Sequence, residues 1–233
     1  MTTDPAALYR LLAWTSPGYP TGAFSYSHGL EWAVEAGSVS NLETLLDYVE
    51  AVLSRGGGWV DAVLFAHAWR APRAPQSAQA ELHDLIELAA AFRGSSETAL
   101  ESRQQGAAFL DVTRKAWPHA ALDALAQQTA RTNTPAAHCI AVAVTCAAHD
   151  IALEPALHAY LHAVAANLVS AGARLVPLGQ TQAQIAIARL AATLNTIVER
   201  AQSTPLDDLG TAAPAVELCS LRHETQYTRL FRS

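Results

Sequence analysis

Two stretches decide how this chain folds: Thr132–His149, TNTPAAHCIAVAVTCAAH, and Pro155–Ala173, PALHAYLHAVAANLVSAGA. Neither carries a formal charge. Each also holds groups that are costly in lipid (His138, His149, His158, His162, Asn167) and falls short of about 20 continuous apolar residues. The two runs are therefore expected to be helices buried in a protein core. Thr134-Pro135 and Glu154-Pro155 supply start signals, because proline fits the first turn of a helix, where its missing N–H costs nothing.

Working outward, the same punctuation recurs. Asp4-Pro5 opens a helix that is expected to reach Trp14, where the run Ser16–Gly22, with two prolines and two glycines, cannot continue it. A second helix is expected from Phe24 to Ala36, stopped by Gly37. Ser40 and Glu43 read as a capping box for a third, with Leu42, Leu45, Leu46, Val49, Val52 and Leu53 on one face. Gly56-Gly57-Gly58 ends it. Trp59–Trp69 follows as a short apolar helix, then a turn at Ala71–Ser77, a helix through Phe92, a capped helix from Gly94-Ser95-Ser96 to Trp117, and a last long helix from Thr181 to Ala201. No segment alternates apolar and polar residues between hairpin turns, so no sheet is expected.

Composition agrees. The chain has 233 residues, 51% of them apolar and only 15% charged, with aromatics at 7%. Alanine supplies most of the apolar excess, which favours closely packed helices. The expectation is an all-α, single compact multi-helix domain over 1–202, a linker at 203–219 rich in Ser, Thr, Pro, Asp and Gly, and a flexible C-terminal tail at 220–233 that orders on a partner.

Charge excludes whole function classes. The net charge is −6 and Lys115 is the single lysine, which argues against a nucleic-acid binder or an anionic-membrane anchor. Three cysteines, Cys139, Cys146 and Cys219, without a CxxC, suit reduced thiols, and the first residues lack a charged-then-apolar signal pattern, so a cytoplasmic location is expected.

Catalytic constellations are sparse. His158 and His162 share a helix face at i, i+4, a spacing that allows two imidazoles to hold one metal, but the HExxH glutamate is absent. Cys139 and Cys146, seven apart, read as small buried hydrophobes. No GxSxG elbow or GxxxxGK[ST] phosphate loop occurs. The unusual residues concentrate in Pro20–Glu31 and Ser170–Gln180, where Arg174 follows a long uncharged run.

At these residues the chain resembles the urease accessory protein F (UreF) family. The motifs are GAFSYSHGLEWAVEAG, NLVSAGARLVPLGQTQAQ and SLRHETQYTRLFRS, in order from about Leu11 to Ser233. Ala23 departs from the glycine more often expected there. The resemblance implies an all-helical, usually dimeric protein without catalytic residues, resident metal or cofactor. Its implied partners are the urease accessory protein D (H in some organisms), the GTPase accessory protein G and apo-urease, and its implied role is to support nickel insertion and regulate the GTPase. Ser25, Tyr26, Ser27, Glu31, Arg174, Gln180, Arg222, His223, Glu224, Tyr227, Arg229 and Phe231 become the partner-binding candidates. Glu31 and Arg174 are expected to serve recognition rather than stability, with Arg174 as an alternative arginine finger. A metal-dependent hydrolase using His158 and His162 is the contrasting alternative.

Overall fold

A computed structural model describes residues 4–71 and 78–233, so most of the turn expected at Ala71–Ser77 lies outside the described residues. The order is α1 (Pro5–Trp14), a 3-10 turn (Ala23–Ser25), α2 (Leu30–Glu35), α3 (Leu42–Arg55), α4 (Gly57–Arg70), α5 (Ala78–Ala91), α6 (Ser96–Ala116), α7 (Ala120–Thr132), α8 (His138–Ala148), α9 (Leu153–Leu175), α10 (Gln180–Ala201), a 3-10 turn (Leu206–Asp208) and α11 (Pro214–His223). No strand occurs among the described residues. None of the helices is long and apolar enough to cross a membrane.

The first uncharged run is the centre of the molecule. Every residue of α8 from Cys139 to Ala147 is buried. Helix α4 covers one side of it, α6 another, and α7 and α9 complete the shell. Around this centre α10 packs across α9, α3 and α4, while α5 lies on α4. The side chains of Ile140, Val142 and Val144 each contribute about 1.5–3 kcal/mol on transfer from water. The Thr145 hydroxyl, buried among them, donates to the Ala141 carbonyl at 2.7 Å, so this polar group is satisfied within its own helix.

Small residues set the helix spacing. Gly106 of α6 faces the stretch leading into α8, and a Cβ there would overlap the Ala136 carbonyl oxygen and lie 2.9 Å from the carbonyl carbon of Ala137. Both obstacles are backbone, which cannot rotate away as a side chain does.

Several local expectations need correction. The helix expected over Phe24–Ala36 is divided: Tyr26 is extended, and His28 and Gly29 take positive φ (53° and 75°) before α2 begins at Leu30. The cap of α3 is Asn41 with Thr44, one residue beyond the Ser40/Glu43 pair, because Thr44 Oγ1 accepts from Asn41 N–H while Asn41 Oδ1 accepts from Thr44 N–H. Helix α7 had no counterpart in the sequence reading. Helix α8 starts at His138, three residues after Pro135, and α9 starts at Leu153, with Pro155 inside its first turn.

The expected linker also differs. Residues 203–219 include the Leu206–Asp208 turn and most of α11, which packs on α2 and α3. Segment 220–233 lies on the helical body, with Ser220, His223, Gln226, Phe231 and Ser233 buried. Its polar composition conceals this docking, since most of what holds it is hydrogen bonding rather than apolar area.

Replacing Gly106 by alanine is a test of the α6–α8 contact. Helix propensity alone predicts a gain of about 1 kcal/mol, whereas the backbone overlap predicts a loss of roughly 1–3 kcal/mol. The overlap should win, and thermal unfolding of Gly106→Ala should fall by several degrees; an unchanged or raised Tm would contradict this packing.

Candidate functional site

The polar residues singled out by sequence gather at one place, where segment 220–233 meets the 3-10 turn, α2 and α6. The local backbone explains why. Gly29 sits at positive φ, and a Cβ on it would come within 2.5 Å of the Ser220 amide nitrogen. Glycine here both permits the left-handed turn and lets α11 approach the start of α2. Glu31 then falls in the first turn of α2, buried and aimed at the incoming segment.

The Glu31 carboxylate is the hub. Oε1 accepts from the Leu230 amide at 2.6 Å, and Oε2 accepts from the Phe231 amide at 2.8 Å. Oε2 also lies 3.1 Å from His223 Nε2. The other ring nitrogen, Nδ1, lies 2.7 Å from Glu97 Oε2, and Arg229 Nη1 donates to Glu97 Oε1 at 2.6 Å. His223, fully buried, thus has a carboxylate on each nitrogen, an arrangement in which both nitrogens donate only if the ring carries both protons. Carboxylate and nitrogen groups alternate along Glu31, His223, Glu97 and Arg229.

A second strand of contacts continues to Ser233. The Ser27 amide donates to the Ser233 carbonyl at 2.8 Å, as does the Ser27 hydroxyl, and the Arg232 amide donates to the Ser25 carbonyl at 2.8 Å. Ser233 Oγ donates to Glu101 Oε2 at 3.0 Å, while Glu101 Oε1 faces His28 Nε2 at 3.0 Å and Gln105 Nε2 at 2.8 Å. Glu224 accepts from the Ser96 amide and hydroxyl at 2.7 and 2.8 Å, at the N-terminus of α6 where a negative charge is favoured. The Ser96 hydroxyl and the neighbouring amides hold its carboxyl below the usual carboxylate range.

Arg174 and Glu31 are not an ion pair. Arg174 Nη2 donates to the Phe24 carbonyl at 3.0 Å, and its guanidinium lies 4.4 Å from the centre of the Phe231 ring. Tyr26 is buried, and its hydroxyl donates to Gln104 at 2.6 Å. Gln180 is exposed at the start of α10. Arg222, Tyr227 and Arg229 are exposed, whereas Ser27, Glu31, His223 and Phe231 are not.

The sequence reading missed Glu97, Glu101 and His28. A signal was present: Glu97 and Glu101 are i, i+4 on one helix face, a like-charge pair that costs stability unless cations face it. It also missed a second buried group, in which Arg93 pairs with Asp61 at 2.5 Å and Tyr160 donates to Asp61 at 2.8 Å. Beside it lies a cavity of about 90 Å³, lined in part by His28, Glu101 and His138. Burial pushes the His138 imidazole down to about 4, and burial raises the Cys139 and Cys146 thiols, so these groups stay neutral at pH 7.

His158 and His162 lie elsewhere, on an apolar groove between α1, α9 and α10 that Leu8, Leu11 and Leu12 also line. His162 is exposed, in contrast to the buried setting expected for the pair. Among the described residues no group of three or more His, Cys, Asp or Glu side chains is arranged to hold a metal ion.

Two predictions follow from the hub. Truncating Glu31 leaves the buried Phe231 amide, the partly buried Leu230 amide and His223 without this partner, a loss of about 3 kcal/mol, while Arg174→Ala removes an exposed hydrogen bond and a cation–π contact worth about 0.5–1 kcal/mol. Glu31→Ala should therefore lower the Tm clearly more than Arg174→Ala, and equal shifts would contradict the hub. For pH, burial acts to lower the His28 imidazolium, but the charge and hydrogen bond of Glu101 outweigh it, so His28 titrates above the ordinary histidine value of 6.5. Its contribution to stability is complete below pH 6.5 and is lost as pH rises through the elevated value. Glu224 acts oppositely, its contribution fading as pH falls through its depressed value. His28→Gln should lower the Tm below pH 6.5, and its Tm should converge with that of the unaltered chain as pH rises through the elevated value.

Comparison with known proteins identifies the family. The sequence profile of the UreF family matches residues 39–191. The chain is 49% identical over 230 residues to the urease accessory protein UreF of Bradyrhizobium diazoefficiens, covering 99% of this chain and 93% of that protein. It is 50% identical over 232 residues to the urease accessory protein UreF of Granulibacter bethesdensis, covering 100% of this chain and 96% of that protein. A likeness at this level and over this length leaves one conclusion about descent: the chain belongs to the UreF family of urease accessory proteins.

Proposed function

We propose that this chain is a non-enzymatic scaffold of urease maturation in the cytoplasm. It bridges the D (or H) accessory protein and the GTPase accessory protein G, regulates the GTPase and promotes nickel incorporation into apo-urease. The observation that carries this reading is the surface of segment 214–233. Leu218, Leu221, Tyr227 and Leu230 are 53%, 47%, 102% and 65% exposed on a segment whose other side is fixed by buried hydrogen bonds. Arg222 and Arg229 lie among them. Apolar and aromatic side chains with arginine, presented on a rigid support, are the composition of protein-binding hot spots.

The candidate residues then divide by task. Ser25, Arg174, Gln180, Arg222, Glu224, Tyr227 and Arg229 are reachable by a partner, and Tyr26, Ser27, Glu31, His223 and Phe231 hold the surface in shape. A homodimer fits the exposed Leu8, Tyr9 and Leu12 of α1, whereas α8 is buried within one copy.

Co-purification tests the reading. The unaltered chain should capture the D protein and, with it, the G protein. Leu221→Glu and Tyr227→Ala should weaken capture by at least tenfold with a Tm within about 2 °C, because a central hot-spot side chain contributes roughly 2 kcal/mol. Failure of the unaltered chain to retain either partner would overturn it.

A further inference from the structure

Segment 220–233 displays the opposite sign of charge to the chain that carries it. Three carboxylates that it meets on the helical body, Glu31, Glu97 and Glu101, are turned inward, with side chains 9%, 12% and 7% exposed. On its outer side stand Arg222, Arg229 and Arg232 against one acid, Glu224, which is held by Ser96 at the N-terminus of α6. Counting side chains, the segment has three arginines and one carboxylate in a chain of net charge −6. Arg229 answers Glu97, whereas among the described residues no carboxylate lies against Arg222 or Arg232. Leu218, Leu221 and Arg222 fall at i, i+3 and i+4 of α11, so an unpaired guanidinium adjoins exposed leucines on one helix face.

We infer that the displayed face of residues 218–232 fits a protein whose contact surface is apolar at its centre and acidic around it, with Arg222 and Arg232 meeting its carboxylates. This assignment rests on the partner-binding role proposed above and specifies the partner's chemistry. Charge complementarity carries it. A guanidinium desolvated without an opposite charge is costly, and a carboxylate satisfies it with two parallel hydrogen bonds. A cationic surface also repels cationic competitors. Nucleic acid would supply the negative charge but would leave the exposed Leu218, Leu221, Tyr227 and Leu230 without an apolar counterpart. Exposed charges at the edge of such a face act chiefly on the association rate, through the field they set up before contact.

The test follows association of the full chain with immobilised D accessory protein by surface plasmon resonance. The association rate should fall at least fivefold between about 0.1 and 1 M NaCl, as the Debye length shortens from roughly 10 to 3 Å. Arg222→Glu and Arg232→Glu should each lower the rate at the lower salt concentration at least fivefold, and the difference should vanish at the higher one. Neither variant removes an ion pair, so the Tm should stay within about 2 °C of the unaltered chain. Arg131→Glu, an equal change of net charge at an exposed position of α7, should alter the rate less than twofold. Capture of the D protein at a rate indifferent to salt and to both reversals, or lowered as much by Arg131→Glu, would overturn the acidic partner and leave the scaffold role standing. No capture by the unaltered chain would overturn both. Duplex DNA passed over the immobilised chain should not be retained, and its retention through Arg222 would equally overturn the inference.

Discussion

One buried carboxylate governs how segment 220–233 is held on this molecule. Glu31 accepts two main-chain amides and meets an imidazole, three contacts that place residues 223, 230 and 231 around a single side chain. A carboxylate taken out of water is costly unless its lone pairs are filled and its charge is balanced. Here the lone pairs are filled by the segment itself, through the amides of Leu230 and Phe231. The docked segment stabilises the charge, and the charge orders the segment.

That mutual dependence explains why so polar a stretch lies on a helical body. The segment buries Phe231 and few other large apolar side chains, so area alone would hold it weakly. Charge-assisted hydrogen bonds are about twice as strong as neutral ones, and several converge within a few residues of sequence. Arg229 answers the Glu97 carboxylate at this site, and Arg93 answers Asp61 elsewhere in the bundle.

For the partner binding proposed above, the consequence is a division between support and display. A surface carrying Leu221, Tyr227 and Leu230 would be pliable on a free tail, and a partner would have to offset the entropy of ordering it. Fixed on its inner side by α2 and α6, the same surface is preorganised. Substitutions on the hidden side and on the displayed side therefore act through different physics, one on the geometry of the surface and the other on its contacts.

The sequence by itself determined the helical class, the central place of the uncharged Thr132–His149 run and the family, because each is written in local terms. Alanine content, capping residues and an absence of charge need no knowledge of distant neighbours. It also gathered Glu31, His223 and Phe231 into motifs of interest. What it did not fix was their relation. Glu31 and His223 are separated by 192 positions, and no local periodicity reports that one will be the other's hydrogen-bond partner. The same holds for Glu97 and Glu101, whose like-charge spacing becomes intelligible only when His223, Arg229 and His28 are seen opposite. Only the tertiary structure decided that Arg174 answers a phenylalanine ring rather than Glu31, and that segment 220–233 docks on the body. Long-range electrostatic pairing is a property of the folded arrangement, whereas helix formation is largely a property of the chain's immediate neighbourhood.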